Sequence, residues 1–232
     1  MSGSADGAFL ARLTPEDREF LVGAGRPGTS SAGETLFRQG DPSTHVVLLL
    51  SGWVKVTLSS GNGHEALLAI RGAGDVLGDL AALDAKPRSA TIRALTPLRV
   101  STLAADRFVR CLHERPQIAI ALLAHNGDRL RRSDTRRMEQ GAYRSPERLA
   151  VHLLRLAAQY GTAAEEGVVI EMRLSQQELA NAIGASREAV ARALHVLRER
   201  GVLLTRRRRI VIAVPEVLHS MAASMPFDAD EP

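Results

Sequence analysis

The chain has one cysteine, Cys111, in 232 residues. That excludes a disulfide framework, a CxxC redox pair and a cysteine-held iron–sulfur cluster. Aromatic residues make up 3% of the sequence, with one Trp and two Tyr. Any core must therefore be built from Leu, Val, Ile and Ala. Lysine is almost missing: only Lys55 and Lys86 stand among 30 basic residues. No run of about 18 apolar residues occurs, so nothing reads as a membrane span. The opening MSGSADGAFL lacks a basic segment followed by an apolar one, which argues against a secretory leader and for a cytoplasmic protein. No nucleophile–base pair, metal-ligand cluster or glycine-rich hydrolysis loop is visible. The chain reads as a binding protein rather than an enzyme, with no metal.

Apolar residues make up 45% of the chain, enough for packed cores, and the length suits two modest domains. Net charge is +4, but it is unevenly spread. Residues 1–112 hold 12 basic and 11 acidic groups, whereas Met172–Val214 holds nine Arg and three Glu. Positive charge concentrated in this way fits a polyanionic partner.

Taken in order, residues 1–8 are small and polar and read as disordered. Phe9–Ala24 predicts a short helix, with Thr14 as cap, Pro15 at the first helical position, and Phe20 and Leu21 facing inward. From Arg26 to Leu103 short apolar runs alternate with turn residues. Thr35–Phe37, Val46–Leu50, Val54–Leu58, Ala66–Ile70, Ala90–Ala94 and Leu98–Leu103 are strand candidates. Gly61-Asn62-Gly63 signals a hairpin. Strands of this length and spacing predict a β-sandwich or roll. Helical periodicity returns with Ala105–His113, and Pro116 opens a long helix to about Ala142. That helix is apolar at Ile118, Leu122, Leu123 and Leu130, which suits pairing with a copy of itself. Gly141 makes a hinge near Gln140–Tyr143.

Ser145-Pro146-Glu147 starts another helix, with Ser145 as its cap and Leu149, Leu153 and Leu156 on its apolar face, ending at Gly161. A polar loop, Thr162–Gly167, and a short strand, Val168–Met172, follow. Ser175-Gln176-Gln177-Glu178 is a capping box, and its helix ends at Gly184. Ser186 then caps a second helix with Val190, Leu194 and Leu197 on one face and Arg187, Glu188 and Arg192 on the other. Arg can fork onto guanine O6 and N7, and Glu can accept from the cytosine amino group. Two short helices joined by a glycine-containing turn form a helix-turn-helix layout. After Gly201, Val202–Thr205 and Ile210–Val214 flank Arg206, Arg207, Arg208 and Arg209. This is a hairpin with an all-arginine tip, suited to phosphates. The tail from His219 reads as disordered.

The chain from about Gly33 to Val214 resembles the cyclic AMP receptor protein / fumarate-nitrate regulator family of bacterial transcription factors. Gly33–Asp41 (GETLFRQGD) with Gly52–Val56 resembles the opening of that family's cyclic-nucleotide-binding roll. Gly78–Thr91 (GDLAALDAKPRSAT) resembles its phosphate-binding cassette. Glu178–Arg192 resembles its helix-turn-helix, and Arg187, Glu188 and Arg192 match the base-reading positions of the cyclic AMP receptor branch.

The resemblance implies an α+β chain in four parts: a jelly-roll-like β-roll (9–115), a long dimerisation helix and hinge (116–143), a winged helix-turn-helix (144–218) and a tail (219–232). It implies effector contacts from Gly78, Asp79, Leu80, Arg88 and Ser89, and from Ser133 and Asp134 on the long helix. Arg88 would neutralise a cyclic phosphate and Ser89 donate to it. Asp79 stands where nucleotide-binding members usually carry Glu. It implies DNA contacts from Ser175, Gln176, Ser186, Arg187, Glu188, Arg192 and Arg206–Arg209. The implied partners are a second copy, palindromic double-stranded DNA with a TGTGA-like half-site, and RNA polymerase. The implied effector is cyclic AMP; the open alternative is a member that binds DNA without it, or senses a cyclic dinucleotide. Haem is set aside because His45, His64, His113 and His125 form no ligand motif and read as surface or turn residues. Cys111 reads as core.

Overall fold

Strand β3 (His45–Ser51) carries four consecutive apolar residues, Val46-Val47-Leu48-Leu49, all buried. An uninterrupted run suits a strand covered on both faces. The computed structural model describes residues 8–59, 61, 65–171, 174–206 and 209–223. In it Val46 and Leu48 enter a core with Phe9, Leu21, Leu103 and Phe108. Val47 and Leu49 enter a second core with Phe37, Val54, Ile92 and Leu98. Alternation along the strand thus serves two cores at once.

Two four-stranded antiparallel sheets form this roll. One has the order β1 (Arg26–Ser30), β8 (Leu98–Ala104), β3, β6 (Val76–Leu77). The other has the order β2 (Thr35–Phe37), β7 (Thr91–Ala94), β4 (Val54–Ser59), β5 (Glu65–Arg71). All six expected strands are present. Two others carry little sequence signal. β1 reads RPGTS, is mostly exposed, and is recognisable only by its backbone pairing with β8, from Arg26↔Thr102 to Ser30↔Leu98. β6 is two residues long. The expected hairpin tip at Asn62-Gly63 lies outside the described residues.

The expected single helix over Phe9–Ala24 is instead a 3-10 turn, Phe9–Arg12, followed by α1 (Pro15–Gly23). The break falls at Leu13 and Thr14, whose hydroxyl accepts from the Asp17 N–H at 3.1 Å. Leu21 is buried as expected, but Phe20 is only partly so and carries the Arg115 guanidinium 4.6 Å over its ring. Helices α2 (Asp79–Asp84) and α3 (Ala105–Glu114) follow, then the long α4 (Pro116–Ala142). Cys111 is fully buried, as read, and burial pushes its thiol pKa up.

The chain divides into two compact units, the first ending at Arg131 and the second beginning at Arg132. Ile118 and Leu122 complete the core of Phe9 and Phe108, so the start of α4 belongs to the roll.

In the second unit α5 spans Ser145–Tyr160, with Leu149, Leu153 and Leu156 buried. Its cap is Arg144, not Ser145: the Arg144 N–H donates to Glu147 Oε2 at 2.7 Å. The stretch read as a polar loop is strand β9 (Gly161–Ala164), turning at Glu165-Glu166 into β10 (Gly167–Ile170). Helices α6 (Gln176–Ile183) and α7 (Arg187–Glu199) precede β11 (Leu203–Arg206) and β12 (Arg209–Ile212). The sheet order is β11-β12-β10-β9. The expected tail does not begin at His219. Helix α8 runs Pro215–Ala223, held by the fully buried Leu218.

Gly52 ends the turn after β3 with φ +87°, and a Cβ there would lie 2.3 Å from the Pro97 carbonyl oxygen. Gly40 has the same φ and open space around it. Gly40→Ala is expected to lose about 1–3 kcal/mol for its backbone conformation. Gly52→Ala is expected to lose more, because a backbone oxygen cannot move aside. Equal urea midpoints for the two variants would refute the steric part.

Candidate effector cradle and nucleic-acid interface

Leaving β6, the chain turns through Gly78 (φ 80°) into α2, which ends at Ala85 (φ 55°). Arg88 folds back beneath this turn and is 4% exposed. Its Nη1 donates to the Gly78 carbonyl at 3.1 Å, and its Nη2 donates to the His45 carbonyl. The guanidinium stacks 3.8 Å over the Phe37 ring. A Cβ at residue 78 would come within 2.2 Å of Nη1, so the close approach requires glycine. Burial lowers the Arg88 pKa from its ordinary value, partly opposed by Asp41. The guanidinium is thus held by carbonyls and a ring.

Asp79 is 2% exposed. Its Oδ2 accepts from Asn126 Nδ2 at 3.0 Å, and its Oδ1 accepts from Arg129 Nη1 at 3.4 Å. Arg129 also donates to Asn126 Oδ1 at 3.0 Å. The cassette carboxylate is therefore tied to α4 by two side chains that sequence reasoning did not single out. Nothing local in the sequence marks Asn126 or Arg129; only the packing of α4 brings them to α2.

Gly78, Asp79 and Arg88 converge as expected, while Leu80 and Ser89 are exposed. Ser133 and Asp134 are exposed residues of α4 in the second unit.

The reading of His125 as a surface residue is wrong. It is 3% exposed, one helical turn before Arg129. Its ring lies 6.0 Å from that of Phe9, and its Nε2 is 3.9 Å from Asp75 Oδ1. Neither ring nitrogen has a hydrogen-bond partner among the described residues. Burial lowers its pKa; Asp75 opposes this, Arg129 and Arg71 reinforce it, and Asp79 opposes it. His45 is also partly buried, its ring 5.0 Å from Phe37, and His64 lies outside the described residues.

In the second unit the capping box forms as read. Ser175 Oγ accepts from the Glu178 N–H at 3.1 Å, and Glu178 Oε2 accepts from the Ser175 N–H at 2.8 Å. Gly184 closes α6 with φ 62°. Ser186 Oγ then accepts from the Ala189 N–H at 3.1 Å and starts α7. Val190, Leu194 and Leu197 are buried, and Arg187, Glu188 and Arg192 are exposed. The Glu188 carboxyl is held below its usual pKa by a backbone N–H first, then by the Ser186 hydroxyl, with Arg187 and Arg192 adding. Ser175 is exposed and Gln176 half-buried at the start of α6.

Three arginines that carry no local sequence signal brace this layout. Arg148 donates to the carbonyls of Tyr143 (2.7 Å) and Gly184 (3.1 Å), bridging the end of α4 to the turn between α6 and α7. Arg155 forks onto Glu139, with Nη1 2.9 Å from Oε2. Arg198 Nη1 donates to Thr205 Oγ1 at 3.2 Å, joining α7 to β11. The hairpin of β11 and β12 pairs Arg206 with Arg209. Arg209, expected to face phosphates, has a partner within the chain: its Nη2 lies 3.1 Å from Glu166 Oε1. Arg207 and Arg208 lie outside the described residues. No helix among the described residues is long and apolar enough to cross a membrane.

Comparisons with known proteins agree with this division. Residues 29–115 match the cyclic nucleotide-binding domain, and residues 147–221 match the Crp-like helix-turn-helix domain. A CRP-like cAMP-activated global transcriptional regulator of Mycobacterium tuberculosis is 32% identical, over 80% of this chain and 83% of that protein. The global nitrogen regulator of Synechococcus elongatus is 31% identical, over 80% and 85%. Among solved structures, a CRP-family transcriptional regulator of Thermus thermophilus has a TM-score of 0.72 at 25% identity, covering 87% of this chain and 100% of its own. The c-di-GMP responsive global regulator of Xanthomonas campestris has a similar fold, with a TM-score of 0.75 at 21% identity and coverage of 87% and 100%. These relatives are regulators, not enzymes.

A histidine whose pKa is lowered by folding binds its proton better in the unfolded chain. Its contribution is complete above the unfolded value of about 6.5 and is lost as pH falls below it, at about 1.4 kcal/mol for each tenfold change in proton affinity. The urea midpoint of the roll is expected to drop between pH 7 and pH 5, and to drop less in His125→Leu. Parallel declines in the two proteins would show that another group titrates.

Proposed function

The chain belongs to the cyclic AMP receptor protein / fumarate-nitrate regulator family of transcription regulators, and we propose that it acts as a cytoplasmic homodimer that reads a palindromic DNA site under the control of a cyclic nucleotide. It is a DNA-binding regulator with an α+β fold: a β-roll, a long helix and a C-terminal helix-turn-helix. The observation that carries the finer reading is α7. Its apolar face is buried, and Arg187, Glu188 and Arg192 are left exposed together on a helix capped by Ser186.

In this reading α7 enters the major groove, Arg187 and Arg192 fork onto guanines, and Glu188 accepts from a cytosine amino group. Ser175 and Gln176, at the start of α6, meet the DNA backbone, as does Ser186. Arg206, Arg207 and Arg208 meet phosphates beside the groove, while Arg209 steadies the hairpin through Glu166. Two copies set their α7 helices roughly 34 Å apart, one per half-site. The half-site is TGTGA-like, and RNA polymerase is a further partner of the bound dimer.

The cassette is the proposed effector site, with Gly78, Asp79, Leu80, Arg88 and Ser89 from the roll and Ser133 and Asp134 from α4. Arg88 supplies the positive charge for a phosphate, and the cAMP-activated regulator of Mycobacterium tuberculosis, similar in sequence, supports cyclic AMP. One feature favours a second reading. Asp79 is occupied by Asn126 and Arg129 and is not open to a ribose hydroxyl. A ligand that makes no use of that carboxylate suits this better, and a cyclic dinucleotide is the alternative to test.

Arg187→Ala is expected to cost about 1–3 kcal/mol on the specific site and little on random DNA. Arg207→Ala is expected to weaken both and to lower the salt slope by about 1. Equal losses on both DNAs from both variants would overturn the assignment. Calorimetric titration with cyclic AMP, cyclic GMP and cyclic di-GMP identifies the effector. Heat with cyclic AMP that vanishes in a folded Arg88→Ala variant is the expected result. Heat with cyclic di-GMP alone selects the second reading, and heat with none rejects nucleotide control.

A further inference from the structure

Helix α4 has two faces of different character. Ile118, Leu122 and His125 are buried. Away from them, Ile120, Leu123, Leu130 and Met138 are exposed, Leu123 at 73% and Met138 at 70%. At 3.6 residues per turn these four share one stripe with Gly127 and Asp134. Large apolar side chains left in water along a helix mark an interaction face. The spacing Ile120, Leu123, Gly127, Leu130, Asp134, Arg137 alternates three and four residues, the seam of a two-stranded coil. Gly127 supports a close neighbour. A mid-helix glycine costs about 1 kcal/mol relative to alanine. A Cβ there would meet only the end of the Arg131 side chain, at 3.5 Å. The chain's own packing does not require that glycine, and its missing side chain leaves room for the backbone of a second helix.

The seam contains opposite charges. Asp134 stands between Leu130 and Met138, four residues from each, and Arg137 is the next seam position. Both are exposed, and neither has an ion-pair or hydrogen-bond partner among the described residues. Reading a palindrome requires both DNA-binding units at the same end of the paired helices, so the helices run parallel. In a parallel pair each Asp134 would face its own copy, and two carboxylates in an apolar seam repel. The side chains next to it across the seam include Arg137 of the second copy.

We propose that Asp134 of each chain pairs with Arg137 of the other, forming a crossed ionic layer that sets the parallel alignment and register of the dimer. The proposal rests on the homodimer reading above and concerns the effector-free chain, in which Asp134 is not engaged by a ligand. The layer gives up stability for alignment, because any other register or direction forgoes the crossed pairs and leaves these charges only the weaker i,i+3 contact within each helix. It also makes a second copy of this helix a better partner than an apolar surface of another protein.

Charge exchange tests this by sedimentation and native mass spectrometry, without nucleotide, on full-length chains whose folding is checked by circular dichroism. Asp134→Arg alone gives an all-basic layer, and Arg137→Asp alone gives an all-acidic one. Each is expected to weaken dimerisation at least tenfold. An equimolar mixture of the two is expected to form mainly heterodimer, because both crossed pairs are restored. The double variant D134R/R137D, with both pairs inverted, is expected to recover the homodimer. If the wild type is dimeric and the single variants dimerise as well as it does, the ionic layer is wrong and the homodimer stands. A mixture that shows no preference for heterodimer also overturns the layer. If the wild type is monomeric at all concentrations reached, the homodimer reading itself fails.

Discussion

The burial of β3 on both faces is the constraint on which the roll depends. With 3% aromatics, the chain cannot fill two cores with a few large rings. It uses consecutive β-branched and leucine side chains, and a strand sends these alternately to opposite sides. Val46 and Leu48 hold the 3-10 turn, α3 and the start of α4 on one side; Val47 and Leu49 hold the second sheet on the other. The same strand supplies the His45 carbonyl that receives Arg88. The cassette and the long helix are thus positioned by one element, and the cradle is formed where the two cores meet.

That placement decides the chemistry at Asp79. A buried carboxylate is tolerated only when paired and hydrogen-bonded, since an uncompensated one costs several kcal/mol. Asn126 and Arg129 compensate it, and both lie on α4. Any ligand that competes for Asp79 must therefore release α4 from α2 or share its donors. Arg88 is under a similar constraint. Its two carbonyl bonds and its stacking on Phe37 satisfy the guanidinium without an acid. Incoming phosphate charge would be favoured there, because Asp41 acts on the cation only through space and no carboxylate among the described residues forms an ion pair with it.

Much of this was readable from residue patterns, and the reasons for success and failure differ. The six strands between Thr35 and Leu103 announced themselves because each buries apolar side chains. β1 did not, because RPGTS contributes backbone hydrogen bonds and almost no burial. The capping box at Ser175 and the cap at Ser186 were legible because capping is chemistry between residues three apart. Asn126, Arg129, Arg148 and Arg155 were not, because their partners lie 16 to 50 residues away. Arg209 was legible as charge but not as a partner of Glu166. Spacing placed His125 on α4, but the depth of that helix face in the core was a tertiary fact.

A chain with two lysines must use arginine both to build and to bind, so residue type alone does not separate the two roles. Burial and partner do. Arg88, Arg129, Arg148 and Arg155 are matched to carbonyls or carboxylates within their own unit, and Arg115 is matched to Asp17 at 2.9 Å. A planar guanidinium suits this work, since one side chain can join two elements through a fork. Arg187 and Arg192 lie instead on the exposed face of α7, where they lower the pKa of Glu188 without being buried by it. Neutralising those two by an internal carboxylate would add little stability at an exposed site. Leaving them in water keeps their forks available for an anionic or guanine-bearing partner. The described arginines between Met172 and Val214 thus divide by packing. Arg198 and Arg209 brace the hairpin, and Arg187 and Arg192 stay exposed beside Ser186.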